Sequence, residues 1–200
     1  DTLPEIALDP RVLDRNLVIT ARRRDPAHAA FDVLRARLVQ ALSDREWSRV
    51  AITSPTRGCG KSFTAINLAV SLARYENRRT ILLDMDLRHP SLARYLGATP
   101  GAAMGDMLSG TVGAEAVLRR IAPNPLKVGA SLAVGLNAET EPVASELLQR
   151  PETARALGAM TEAYRPDIVL YDLPPALAQD DVLSFSDQFD CVLMVIGGGS

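Results

Sequence analysis

The apolar runs in this chain are continuous, not alternating. Val50-Ala51-Ile52, Ile81-Leu82-Leu83, Ile168-Val169-Leu170 and Cys191–Ile196 each lack a polar face. A strand that is apolar on both sides is buried on both, and such strands belong to parallel sheets covered by helices. Stretches of helical periodicity lie between the runs. Ala30, Phe31, Leu34, Leu38 and Leu42 mark an amphipathic helix over Pro26–Leu42, and helical pattern returns from Lys61 to Tyr75 and from Val143 to Tyr164. Pro151 interrupts the last of these and suits the first turn of a new helix better than an interior. The alternation of strand and helix gives the same reading. The expected fold class is α/β, a mostly parallel β-sheet flanked by helices on both faces. Expected strands are Arg49–Pro55, Thr80–Asp86, Leu126–Leu132, Asp167–Asp172 and Cys191–Ile196. Short helices are expected over Gly101–Ile121, and a helical or turn-like stretch over Asp180–Phe189.

Size and composition narrow the class further. A length of 200 residues fits one domain. With 47% hydrophobic and 23% charged residues the chain is globular in composition, neither disordered nor fibrous. A net charge of -2 leaves no chain-wide basic footprint for nucleic acid, and 4% aromatic residues argue against a base-stacking platform. Cys59 and Cys191 cannot build a disulfide framework, so the sequence reads as reduced and cytoplasmic. No stretch reaches the roughly 18 uninterrupted apolar residues of a membrane helix. Asp1–Pro10 lacks the basic-then-apolar layout of a signal peptide. Residues 1–26 carry prolines and charge, with Arg22-Arg23-Arg24 near their end, and read as an N-terminal extension or linker. A basic contact site for lipid or an acidic partner is the alternative there. Residues 27–200 read as one domain, stopping on Gly197-Gly198-Gly199 directly after a strand. A doubly wound sheet continues past such a strand with a covering helix, so a C-terminal piece is expected beyond it.

Chemistry gathers at the strand ends. Ser54-Pro55-Thr56-Arg57-Gly58-Cys59-Gly60-Lys61-Ser62 lies between an apolar strand and a helix. A phosphate chain needs several backbone N–H groups turned into one concavity. Glycines permit the close approach, and a helix N-terminus adds a favourable dipole. In that setting Lys61 reaches the outer phosphates and the Ser62 hydroxyl is a magnesium ligand. Pro55 stands where the strict pattern has glycine. Asp84 and Asp86 project to one side of an extended run, as would Arg88, at a strand end where open α/β sheets collect ligands. Two such carboxylates repel unless a cation is near. The plainer alternative has one of them capping a helix and the other in solvent. Asp172 closes a further strand, and Pro174-Pro175 fixes a stiff exit. An acid at that place can hold magnesium through a water. Together these signals make the expected fold a P-loop NTPase.

These segments resemble the bacterial tyrosine kinases (BY-kinases) of capsule and exopolysaccharide systems. That family combines a Walker A loop, an Asp-x-Asp-x-Arg motif called Walker A-prime, and a Walker B strand ending Asp-x-Pro-Pro. This chain reads Gly58-Cys59-Gly60-Lys61-Ser62, Asp84-Met85-Asp86-Leu87-Arg88 and Asp172-Leu173-Pro174-Pro175. The similarity continues through Gly105-Asp106-Met107-Leu108-Ser109-Gly110 and Ser145-Glu146-Leu147-Leu148, and so covers most of Phe31–Ile196. The resemblance implies a tyrosine (auto)kinase domain that uses ATP and Mg2+ in capsule or exopolysaccharide synthesis and export. It implies a place at the inner face of the cell membrane, a membrane-anchored polysaccharide co-polymerase or activator as partner, and a homo-oligomer. By the same resemblance Thr56, Arg57, Gly58, Cys59, Gly60, Lys61, Ser62 and Phe63 surround the nucleotide. Lys61 contacts its phosphates, Ser62, Asp86 and Asp172 hold the metal, and Asp84 lies beside the attacking tyrosine hydroxyl. Lys61, Asp84, Asp86 and Asp172 form the expected catalytic set.

The chain also departs from that family. Its helix before the Walker A strand often reads Glu-x-x-Arg-x-x-Arg and builds a ring of subunits; the matching positions here are Ala29, Asp32 and Arg35. Tyr75, Tyr95, Tyr164 and Tyr171 are scattered rather than clustered and read as packing residues, as does Trp47. Two other functions fit the motifs. One is a partition-type P-loop ATPase, although such proteins usually carry a signature lysine where this chain has Thr56. The other is a non-catalytic ATP-binding regulatory module of an export complex. Cys59, inside the phosphate loop at a helix start, stands where a thiol pKa can be lowered.

Overall fold

The computed structural model describes residues 3–18, 26–74, 78–129 and 131–198. The Arg22-Arg23-Arg24 run and Tyr75 lie outside the described residues. The described strands are β1 Glu5–Ile6, β2 Arg49–Thr53, β3 Thr80–Asp84, β4 Leu118–Ile121, β5 Leu132–Gly135, β6 Ile168–Asp172 and β7 Cys191–Met194. They form one sheet in the order β1-β4-β5-β3-β6-β2-β7. β5, β3, β6, β2 and β7 are parallel, while β4 is antiparallel to β5 and takes β1 with it in the reverse direction. The continuous apolar runs behave as their composition demands: every residue of β3 and β6 is buried.

Helices cover both faces. Val50, Ile52, Leu82 and Leu170 point to one side, packing with α1 Pro10–Arg15, α2 Ala27–Arg45, α3 Lys61–Leu72 and α4 Leu92–Leu96. Ala51, Leu83, Val169 and Tyr171 point to the other, towards α5 Met104–Leu108, α6 Ala114–Val117, α7 Ala144–Gln149, α8 Pro151–Tyr164 and α9 Asp181–Ser184. Pro151 occupies the first turn of α8, as its fixed φ favours. In α2, Asp32 and Arg35 pair with each other at 2.8 Å, and Arg35 also donates to the Ser71 hydroxyl of α3 at 3.1 Å. Both positions are thus engaged within this chain.

Four expectations change. The strand expected over Leu126–Leu132 lies later, at β5. Pro123 and Pro125 flank Asn124, whose side chain bonds the Ala122 and Val128 carbonyls, and that loop delays pairing until Leu132. β4 falls inside the stretch expected to be helical, because Leu118-Arg119-Arg120-Ile121 buries only its two ends and shows no apolar run. The N-terminal segment does not stand off the surface over residues 3–18. β1 pairs with β4, Glu5 forms an ion pair with Arg120, and Leu13 and Val18 are buried in the core. Trp47 is 37% exposed and carries Arg45 over its ring at 5.1 Å, so it caps the surface rather than filling the core. At the far edge, β7 alternates: Cys191 and Leu193 pack inward, while Val192 and Met194 are exposed, as is Ile196 just beyond.

Candidate active site at the strand ends

β2 delivers the phosphate loop, residues 54–60, to the N-terminus of α3. Gly58 and Gly60 hold φ of +80° and +87°, a region that a side chain disfavours and that turns successive backbone amides inward. α3 begins at Lys61 with no side-chain cap and no acid in its first turn, so its leading amides and dipole are left for an anion. Thr56, Arg57 and Gly58 are exposed on the rim. The Thr56 hydroxyl and the Gly197 backbone hold the Cys59 thiol below its ordinary pKa. Phe63 departs from expectation: its ring packs edge-on against Phe31 of α2 at 5.9 Å, so only its backbone amide remains for a ligand.

Lys61, 8% exposed, lies at the centre. Its Nζ is 3.2 Å from Asp86 Oδ2, 3.2 Å from Asp172 Oδ1 and 3.2 Å from Ser62 Oγ. Asp172 ends β6 beside Asp84, its register partner at the end of β3. Asp86 lies two residues past the strand, where the His89 amide donates to its Oδ1 at 3.0 Å. The cleft wall is formed by Arg57, Lys61, Ser62, Asp86, His89 and Arg94 among others, and Asp84 is not on it. Asp84 Oδ2 instead accepts the Ser91 and Leu92 amides at 2.9 Å each and caps α4. The extended run does not persist either. Arg88 turns away from the two aspartates and grips Asp181 at 2.8 and 2.9 Å.

Charge in this cluster is unbalanced. Burial pushes Asp84 up to about 8; the Asp172 charge adds to this, and the Leu92 and Ser91 amides oppose it. Burial also raises Asp172, against the pull of Lys61 and Ser62. On Lys61 burial acts downward, but Asp172 and Asp86 outweigh it and hold the ammonium above its usual value. The Lys61 shift speaks for full ion pairs and the Asp172 shift against one. One ammonium cannot neutralise three carboxyls, so the lysine stays charged while burial holds Asp84 and Asp172 above the ordinary carboxylate range. Asp84 Oδ1 and Asp172 Oδ2 are both buried without a hydrogen-bond partner among the described residues. Paired acids with spare oxygens, beside an uncapped helix N-terminus, fit a divalent cation accompanied by phosphate. The structure brings Lys61, Ser62, Asp86 and Asp172 into contact, and Asp84 lies beside Asp172. Asp181 was not foreseen, and nothing in Asp180-Asp181 marks it in the sequence.

A parallel sheet with this loop, this lysine and an acid at the neighbouring strand end defines a P-loop NTPase. The family model ParA, described as NUBPL iron-transfer P-loop NTPase, matches residues 47–197, and the chain belongs to that family of P-loop NTPases. Within it, the chain is similar to bacterial tyrosine kinases. It is 32% identical over 197 residues to the putative tyrosine-protein kinase EpsB of Ralstonia solanacearum, covering 98% of this chain and 25% of that protein. It is 29% identical over 191 residues to the tyrosine-protein kinase YwqD of Bacillus subtilis (strain 168), covering 94% of this chain and 75% of that one. The solved BceF tyrosine kinase domain superposes with a TM-score of 0.73 at 26% identity, over 97% of this chain and 79% of that domain. The chain spans about a quarter of the length of the first curated relatives it matches. Among the described residues no helix is long and apolar enough to cross a membrane.

Proposed function

We propose that this chain is the Mg2+-dependent, ATP-using tyrosine kinase domain of a polysaccharide export system, working with a membrane-anchored activator or co-polymerase. One observation carries the reading. A buried lysine at the start of an uncapped helix is shared between two acids at the ends of separate strands, Asp172 closing β6 and Asp86 just past β3, with spare carboxylate oxygens around it. Ser62, Asp86 and Asp172 would hold Mg2+, which would offset the charge of the phosphates. Lys61 would exchange its carboxylate partners for phosphate oxygens, and the amides of residues 58–63 would orient the phosphate chain. Asp84, with Oδ1 unpartnered among the described residues, is the proposed acceptor of the tyrosine hydroxyl proton in its ionised form, which a cation bound beside Asp172 would favour by offsetting the like charge that raises it.

Membership of the ParA family supports a second reading, ATP hydrolysis without transfer to tyrosine. Incubation with labelled ATP and Mg2+ separates the two. Phosphotyrosine on the protein, or on a tyrosine-rich peptide added to it, supports the kinase. Phosphate release with no phosphotyrosine supports the ATPase, and ATP binding with neither leaves a regulatory module. Lys61→Met should weaken ATP binding at least about tenfold by calorimetry, since it removes a charge-assisted contact. An unchanged affinity contradicts the site.

A further inference from the structure

Arg88 and Asp181 make a two-pronged ion pair outside the cleft. Both guanidinium edges are used: Nε meets Asp181 Oδ2 at 2.8 Å and Nη2 meets Oδ1 at 2.9 Å, while Nη1 reaches the Pro142 carbonyl at 3.3 Å. Asp181 is 1% exposed, and neither residue lines the cleft. With Asp181 buried and Arg88 partly so, the pair adds little net stability compared with apolar packing, whereas its two-pronged geometry fixes orientation. What it orients is visible from the chain on each side. Arg88 follows Asp86 by two residues, in a turn where the His89 amide bonds the Asp86 carbonyl and carboxylate.

Asp181 ends a strap that begins at Asp172. The strap crosses the phosphate loop, with the Ala176 amide bonded to the Ser54 carbonyl at 2.7 Å and the Leu177 amide to that of Pro55 at 3.2 Å. The Thr53 hydroxyl holds the Pro174 carbonyl at 2.7 Å. Beyond Asp181 the strap is pinned by Phe185, fully buried with its ring 5.0 Å from Tyr171. Arg88 therefore grips a fixed point, and the grip closes a loop through the phosphate-binding turn, Asp172, Asp181, Asp86 and Lys61.

We infer that the Arg88–Asp181 pair is a positioning clasp: it holds Asp86 at its distance from Lys61 and Asp172, and so sets the affinity for the divalent cation. The inference rests on the proposed nucleotide reading of the cleft. Asp181→Asn keeps the shape and loses the charge; Arg88→Lys keeps the charge and loses the fork. Each should weaken Mg2+ binding to the ADP-loaded protein about tenfold, as loss of a residue that orients a metal ligand does. ADP affinity in EDTA should stay within about twofold, and Asp181→Glu should recover part of the Mg2+ affinity. In the ligand-free protein, hydrogen exchange at the His89, Ala176 and Leu177 amides should rise together, because all three depend on the closed loop. Unchanged Mg2+ affinity overturns the clasp. So does an equal loss of ADP affinity with and without Mg2+, which would mark a merely structural pair. If the parent protein binds no ADP, the nucleotide reading fails by itself. The exchange measurement needs no ligand and still decides the clasp: unaltered protection of those amides sinks it.

Discussion

Asp84 shows how one residue can serve the fold and strain it together. Its carboxyl caps α4, yet burial and the neighbouring Asp172 hold it up to about 8. An unfolded aspartate titrates near ~3.9. Between those values the folded protein keeps a proton that the unfolded chain has released, so stability falls as pH climbs from about 4 to about 8 and levels off above. Asp84→Asn removes the Asp84 share of that dependence and leaves the share of Asp172, which burial also raises. The variant should be more stable than the parent at pH 8 by about 1–2 kcal/mol, with a melting point some 2–8 °C higher, and the gain should shrink towards pH 4. Thermal melts of the ligand-free protein across that range check it. A parent whose melting point is flat with pH would contradict it. Arg88 was legible in the sequence as part of a motif but not in its direction. Alternation along a strand predicts a shared side only while the strand lasts, and β3 ends at Asp84.

At the scale of elements, the sequence marked those whose burial is one-sided in chemistry. β2, β3 and β6 have apolar centres, and α3 and α8 start at the expected residues because glycine and proline punctuate them. β4 escaped because its two arginines hide a short strand that needs burial only at Leu118 and Ile121. β5 was misplaced because local apolar content cannot reveal the turn that Asn124 ties across two prolines. The phosphate loop offers a clean measurement. A Cβ at Gly60 meets no atom within 4 Å, so only its left-handed backbone resists a side chain. Gly60→Ala should therefore cost about 1–2 kcal/mol in denaturant unfolding, and the cost should be larger with nucleotide bound. A neutral result would mean that the loop relaxes freely.

Across the whole molecule, the N-terminal residues bind the two ends of the chain's logic together. β1 extends the sheet beyond β4, and α1 lays Leu13 against the same core as α3. Composition hid this, because prolines and charges surround a few apolar anchors and an anchor is known only by what it meets. Leu13, 1% exposed, is the sharpest test. Leu13→Ala should lower stability by about 2–4 kcal/mol in urea titration, as buried leucines do; a loss under about 0.5 kcal/mol would show that the segment merely rests on the surface. The opposite border of the sheet has a different consequence. Val192, Met194 and Ile196 stand in a row facing water, on a strand whose outer amides have no neighbouring strand among the described residues. Such a rim invites like rims to zip together. Concentrated solutions of the chain should turn turbid on standing, and a single Met194→Lys should keep them clear in light scattering.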